Sequence, residues 1–179
     1  MKPHFENDAV ALARRIGDPK LLARAVTRFF LGMFLAEPPE AIARRRDVVD
    51  EAIARGGDLD PVSRAWLLAG RTILTALSGG EGAREEAERA WEAAETSGNA
   101  HCRVVALSAH FAVLRRPEDT AHRLRVTDQL VEEATTLGHP ELLARAHHSR
   151  VQTRLGGGDM AGAEADLASM ETIAEAEHN

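Results

Sequence analysis

The chain repeats itself at a period of about 40 residues, and that property restricts its fold more than its composition does. Phrases built alike surround Gly17 (LARRIGDPKLLARA), Gly56 (IARGGDLDPVSRA), Gly98 (ETSGNAHCRVVA) and Gly138 (TTLGHPELLARA), at spacings of 39, 42 and 40 residues. Each glycine follows an alanine by four positions (Ala13, Ala52, Ala94, Ala134) and precedes another by eight or nine (Ala25, Ala65, Ala106, Ala146). Self-similarity at such a period marks supersecondary units that cannot bury an apolar face alone and therefore stack on their neighbours.

The chemistry of each phrase is that of a helix stop followed by a helix start. A glycine ends a helix in the left-handed conformation without a Cβ clash. Asp or Asn then caps the next helix, and Pro suits its first turn, as in Asp18-Pro19, Asp60-Pro61 and His139-Pro140. Between joints there is room for two helices. Val62, Ala65, Ala69, Ile73 and Ala76 step at helical spacing; so do Ala83, Ala87, Ala90 and Ala94 after LSGGEG. Thr120, Leu124, Thr127, Val131 and Ala134 form a further stripe, and Met160, Ala163, Leu167, Met170 and Ala174 another. Pro38-Pro39, Gly79-Gly80, Pro117 and Gly156-Gly157-Gly158 break the chain between paired helices. No segment alternates with period two. The expectation is an all-α fold, a right-handed α-α superhelix of about four helical hairpins and about nine helices. It forms one domain over 1–179, with repeats at about 17–55, 56–97, 98–137 and 138–179 after a short helix at about 8–16.

Charge and composition exclude several partners. With 22 basic and 28 acidic residues the net charge is −6, the wrong sign for a surface that tracks phosphate backbones, so no nucleic-acid contact is expected from this segment. The longest apolar stretch, Phe29 to Ala36, falls far short of the roughly 20 residues of a membrane helix. Cys102 is the single cysteine, which fits a reducing, cytoplasmic setting.

Two stretches carry a resemblance. GDMAGAEADLASMETIAEA (Gly158 to Ala176) resembles the second helix of a tetratricopeptide-type repeat. ALARRIGDPKLLARAV is similar to joints in the helical-repeat regions of large bacterial ATP-binding transcription regulators of the LuxR and antibiotic-regulatory types. The period near 40 exceeds the roughly 34 of the standard tetratricopeptide unit, and no NTPase or DNA-binding motif lies in these residues. The resemblance implies a sensor or protein-interaction segment of a transcription regulator and transfers no catalytic residue. The final helix carries Glu171, Glu175 and Glu177 where the helix dipole favours cations. It reads either as a cut from a longer array or as a frayed natural end.

Catalytic and metal-binding patterns are not legible, so the chain is read as a non-enzyme needing no cofactor and no metal. SGGEGA and LGGGDM follow no strand and lack the Lys-Ser/Thr of a phosphate loop. His147 aligns with Val26, Trp66 and Leu107, which predicts a packing histidine in an apolar seam; His110 aligns with Phe29 and Cys102 with Leu21, core positions both.

The candidate binding residues are Arg24, Arg64 and Arg145, which precede the repeat alanine in three of the four phrases, each on the first helix of its pair. In tetratricopeptide-type arrays that helix lines the concave surface, where guanidinium groups grip carboxylates. The competing reading has their stems covering apolar surface and their heads paired with neighbouring acids. The helix containing Phe29, Phe30, Leu31, Met33, Phe34 and Leu35 is apolar nearly all round, so Phe30 and Phe34 are either wrapped on both sides or form a patch for a partner or a second copy, a homodimer. The resulting expectation is a non-enzymatic module that binds a protein or peptide. The alternative is a small-molecule sensor that closes its groove on a metabolite.

Overall fold

The computed structural model describes residues 8–30, 38–57 and 59–177, the side chains of 28–30 and 177 excepted. Among them all regular structure is helical, with nine α-helices and no strand. In order these are α1 (Asp8–Ile16), α2 (Pro19–Phe30), α3 (Pro39–Arg55), α4 (Pro61–Leu77) and α5 (Ala83–Ser97). There follow α6 (Ala100–Val113), a single 3-10 turn (Pro117–Asp119), α7 (Thr120–Leu137), α8 (Pro140–Gly156) and α9 (Met160–Glu177).

The joints behave largely as their residue types dictate. Asp18 Oδ1 accepts the Lys20 amide at 2.8 Å, and Asp60 Oδ1 accepts that of Ser63 at 2.9 Å. Asn99 Oδ1 accepts the His101 amide at 2.9 Å. Gly17, Gly98 and Gly138 are left-handed at the preceding helix ends. Gly56 departs from that expectation. Its φ is −90°, and it needs to be glycine because a Cβ there would run into the side chain of Leu59 and lie 2.8 Å from the Ala52 carbonyl oxygen. His139 departs too, since its side chain caps nothing.

The helices form two layers. The even-numbered helices α2, α4, α6 and α8 touch in succession; α3, α5, α7 and α9 pack against their chain neighbours and, among the described residues, not against one another. One apolar core joins α1 to α4 through Val10, Leu22, Val26, Val49, Leu67 and Leu74. A second joins α6, α7 and α8 through Leu107, Leu130 and Leu142. Between them run thin seams of small residues, Ala65 with Ala94, Cys102 and Ala106, and Ala69 with Ala90 and Ala109. Small side chains bring the three helices α4, α5 and α6 close together, where bulkier ones would hold the backbones apart.

The last helix does not sit as its apolar stripe predicts. Met160 and Leu167 are about half exposed (59% and 47%), whereas Asp166 is 1% exposed. The docking face of α9 is turned toward Ala163 and Asp166, and the reason lies in what α8 presents to it.

Candidate functional site

The joints place the first turns of α4, α6 and α8 beside one another, and a cavity of about 560 Å³ opens there. The start of α4 supplies Asp60, Val62, Ser63 and Trp66 to its wall. Asn99 and His101 come from the start of α6, and His139, Glu141 and Leu142 from that of α8. Arg24 and Thr27 of α2 complete the lining, so every helix of the inner layer contributes.

The polar groups of this lining divide into those already engaged and those left for a ligand. Asp60 receives the Ser63 hydroxyl at 2.7 Å as well as its amide, and these bonds hold the Asp60 carboxyl below its usual range. Asn99 is committed to the amides of α6. Glu141 sits in the first turn of α8, where the helix dipole favours a carboxylate, and its charge acts on Arg145 one turn along, but no hydrogen bond or ion pair among the described residues holds it. Likewise, no hydrogen bond or ion pair among the described residues ties down the guanidinium of Arg24 or the ring nitrogens of His101 and His139. The two imidazoles meet edge to face, with ring centroids 6.1 Å apart and an interplanar angle of 87°. Val62, Trp66 and Leu142 provide the apolar share of the wall.

The three arginines singled out in the sequence do not converge on this cavity. Arg24 lines it and is exposed; Arg64 is exposed on α4 but outside the lining. Arg145 is half-buried on α8, also outside the lining, and burial pulls its guanidinium pKa down to about 10. Phe34, with the rest of 31–35, and the side chains of Phe29 and Phe30 lie outside the described residues. The repeat pattern of the sequence does not mark Trp66, His101 and His139 as binding residues. The signal that finds them is the joint itself: His101 and His139 stand three and one residues after their repeat glycines, so any surface built from helix starts collects them.

A second polar constellation joins α8 to α9, and it corrects the expectation that His147 packs in an apolar seam. His147 is buried, yet its Nδ1 lies 2.7 Å from Oδ1 of Asp166. An ionised carboxylate only accepts, so Nδ1 carries the proton. Arg150 adds Nη2 to Oδ1 at 2.6 Å and Nε to Oδ2 at 3.0 Å, and Arg154 Nη1 stands 3.1 Å from Oδ2. Burial alone would raise the Asp166 carboxyl, but the bonds from Arg150 and His147 outweigh it and hold the pKa low. Arg150 also reaches Asp128 of α7 at 3.1 Å, and Arg154 donates to the Gly162 carbonyl at 2.6 Å. The α8 cations turn Asp166 inward and leave Met160 and Leu167 outside.

Cys102 occupies the core position expected of it, 1% exposed, with burial raising its thiol pKa. His110 is half-buried against the edge of Trp91 at 6.3 Å, and burial lowers its pKa. No group of three His, Cys, Asp or Glu side chains among the described residues is placed to hold a metal ion, and no helix among them is long and apolar enough to cross a membrane. Compared with known families and with curated proteins, the chain matches no family model and none of those proteins.

Proposed function

We propose that the chain is a non-enzymatic binding module that holds a protein or peptide segment in the cavity at the starts of α4, α6 and α8. The observation that carries this reading is the composition of the lining: residues from four separate helices, most of them polar, with an apolar share of the wall, at Val62, Trp66 and Leu142, about equal to the polar one. A small-molecule site is usually an enclosed, mainly apolar pocket with a few polar groups, whereas a segment that keeps part of its own backbone solvated is suited by an open polar wall. The wider setting we propose is the repeat segment of a bacterial transcription regulator, on the strength of the joint phrases around Gly17 and Gly138 and of the helix-pair layering.

One observation favours the alternative, a metabolite sensor. A cavity of about 560 Å³ lies within the size range of small-molecule sites, roughly 300–1,000 Å³. Native mass spectrometry of the full chain after incubation with bacterial lysate separates the two. A retained polypeptide lost on Trp66→Ala supports the module, while a retained mass of a few hundred daltons lost on the same substitution replaces it with the sensor.

A further inference from the structure

Resting on the peptide-binding reading, we infer that the segment taken by the cavity is acidic and carries one large apolar side chain. The apolar residue seats at Trp66 and its acidic neighbours meet Arg24 and the His101–His139 pair.

The assignment follows from which groups remain uncommitted. Of the two carboxylates in the wall, Asp60 accepts the amide and hydroxyl of Ser63, while Glu141 lies in the first turn of α8, where the helix dipole favours its charge. An incoming Lys or Arg would find only Glu141 without a hydrogen bond, against three donor side chains, Arg24, His101 and His139, that lack an acceptor among the described residues. Arg24 and the two imidazoles have nothing to give up. A guanidinium pairs a carboxylate with two parallel N–H bonds, and a neutral imidazole still offers one N–H. The occupant therefore completes the cavity by supplying acceptors with negative charge.

The apolar component is set by Val62, Trp66 and Leu142, which form the cavity's only apolar wall among the described residues. An aromatic or large aliphatic side chain against the indole gains burial and, if aromatic, an edge or offset ring contact. Because the chain as a whole carries −6, long-range attraction does not bring an acidic segment in. Recognition is local, so raising salt from 50 to 300 mM slows association little while weakening the contacts at Arg24.

The test is a displayed library of random octapeptides selected on the full chain, run in parallel on Arg24→Glu. Arg24 is exposed, so the variant is expected to keep the helical circular dichroism and melting of the parent. The expected result is enrichment of sequences with Asp or Glu within two positions of Trp, Phe or Leu. On Arg24→Glu, affinity of those sequences falls at least tenfold and the enriched charge shifts toward Lys and Arg. Enrichment without acidic residues overturns the charge assignment and leaves the peptide-binding reading in place. Acidic enrichment that survives Arg24→Glu unchanged moves the contact away from this cavity and overturns the assignment of Arg24. Absence of any enrichment on either protein overturns both readings.

Discussion

His147 Nδ1 and Asp166 Oδ1 meet at 2.7 Å across the interface of the last two helices, in a site where the carboxylate is almost wholly withdrawn from water. Among the described residues of α9 only Ala163 and Asp166 are buried, so this carboxylate and its cations contribute much of what fixes the helix in place.

Asp166→Ala is therefore expected to cost about 3–5 kcal/mol, because it strands Arg150, Arg154 and His147 rather than because it deletes a favourable pair. Hydrogen exchange localises the loss: amides of Met160–Glu177 exchange fast while those of α4 and α6 stay protected. Uniform acceleration across all helices would show that α9 is not a separate unit.

The same carboxylate sets an acid limit. Its folded pKa is depressed below the unfolded value of about 3.9, so its contribution is complete above that value and disappears as pH falls through the folded pKa. Asp60, lowered by Ser63, acts in the same direction and the same window. Urea midpoints measured from pH 6 to pH 2.5 should fall on the acid side, and Asp166→Asn should flatten part of that fall. A midpoint that holds level down to pH 2.5 would contradict both assignments.

Glycines at equivalent joints respond differently to substitution. At Gly138, φ is +63° and no atom lies near the added Cβ, so Gly138→Ala costs about 1 kcal/mol of backbone strain and Gly138→Asn recovers part of it. At Gly56 the obstacle is Leu59 and the Ala52 carbonyl, so Gly56→Ala costs about 1–3 kcal/mol through overpacking and asparagine recovers nothing. Thermal melts of the four variants decide the matter.

Cys102 should be silent to alkylation. It is buried, its thiol is pushed up by burial, and its Sγ lies 3.8 Å from the Val62 carbonyl oxygen. Iodoacetamide at pH 8 is expected to label the folded chain at least a hundredfold more slowly than the chain in 6 M guanidinium, with mass spectrometry as the readout. Fast native labelling would place the α4–α6 seam in frequent opening.

Much of the fold could be read from the sequence because its grammar is local. Gly17, Asp18 and Pro19 stop one helix and start the next through contacts within four residues, and Asn99 does the same with its own amides. The cavity was less legible. Trp66, His101 and His139 are 35 and 38 residues apart in the chain and become neighbours only when successive inner helices lie side by side. Arg24, Arg64 and Arg145 share a place before the repeat alanine but not one helix position, since Arg64 stands three residues after Pro61 and the other two stand five after Pro19 and Pro140, and only Arg24 lines the cavity. Asp166 was hidden for another reason. It stands amid alanines on a helix whose most apolar stripe points elsewhere, and only the cations of a different helix reveal which face is buried.

The outer helices that touch their chain neighbours but not one another have a mechanical consequence. Bending such a stack opens or closes the gaps between α3, α5, α7 and α9 without breaking any contact between them, and it is resisted by the inner layer together with the outer helices wedged on it, α5 against both α4 and α6 and α7 against both α6 and α8. Whatever bridges the starts of α4, α6 and α8 and the middle of α2 lies across the compliant direction. Under the proposed function, an occupant of the cavity braces the inner helices against that bending.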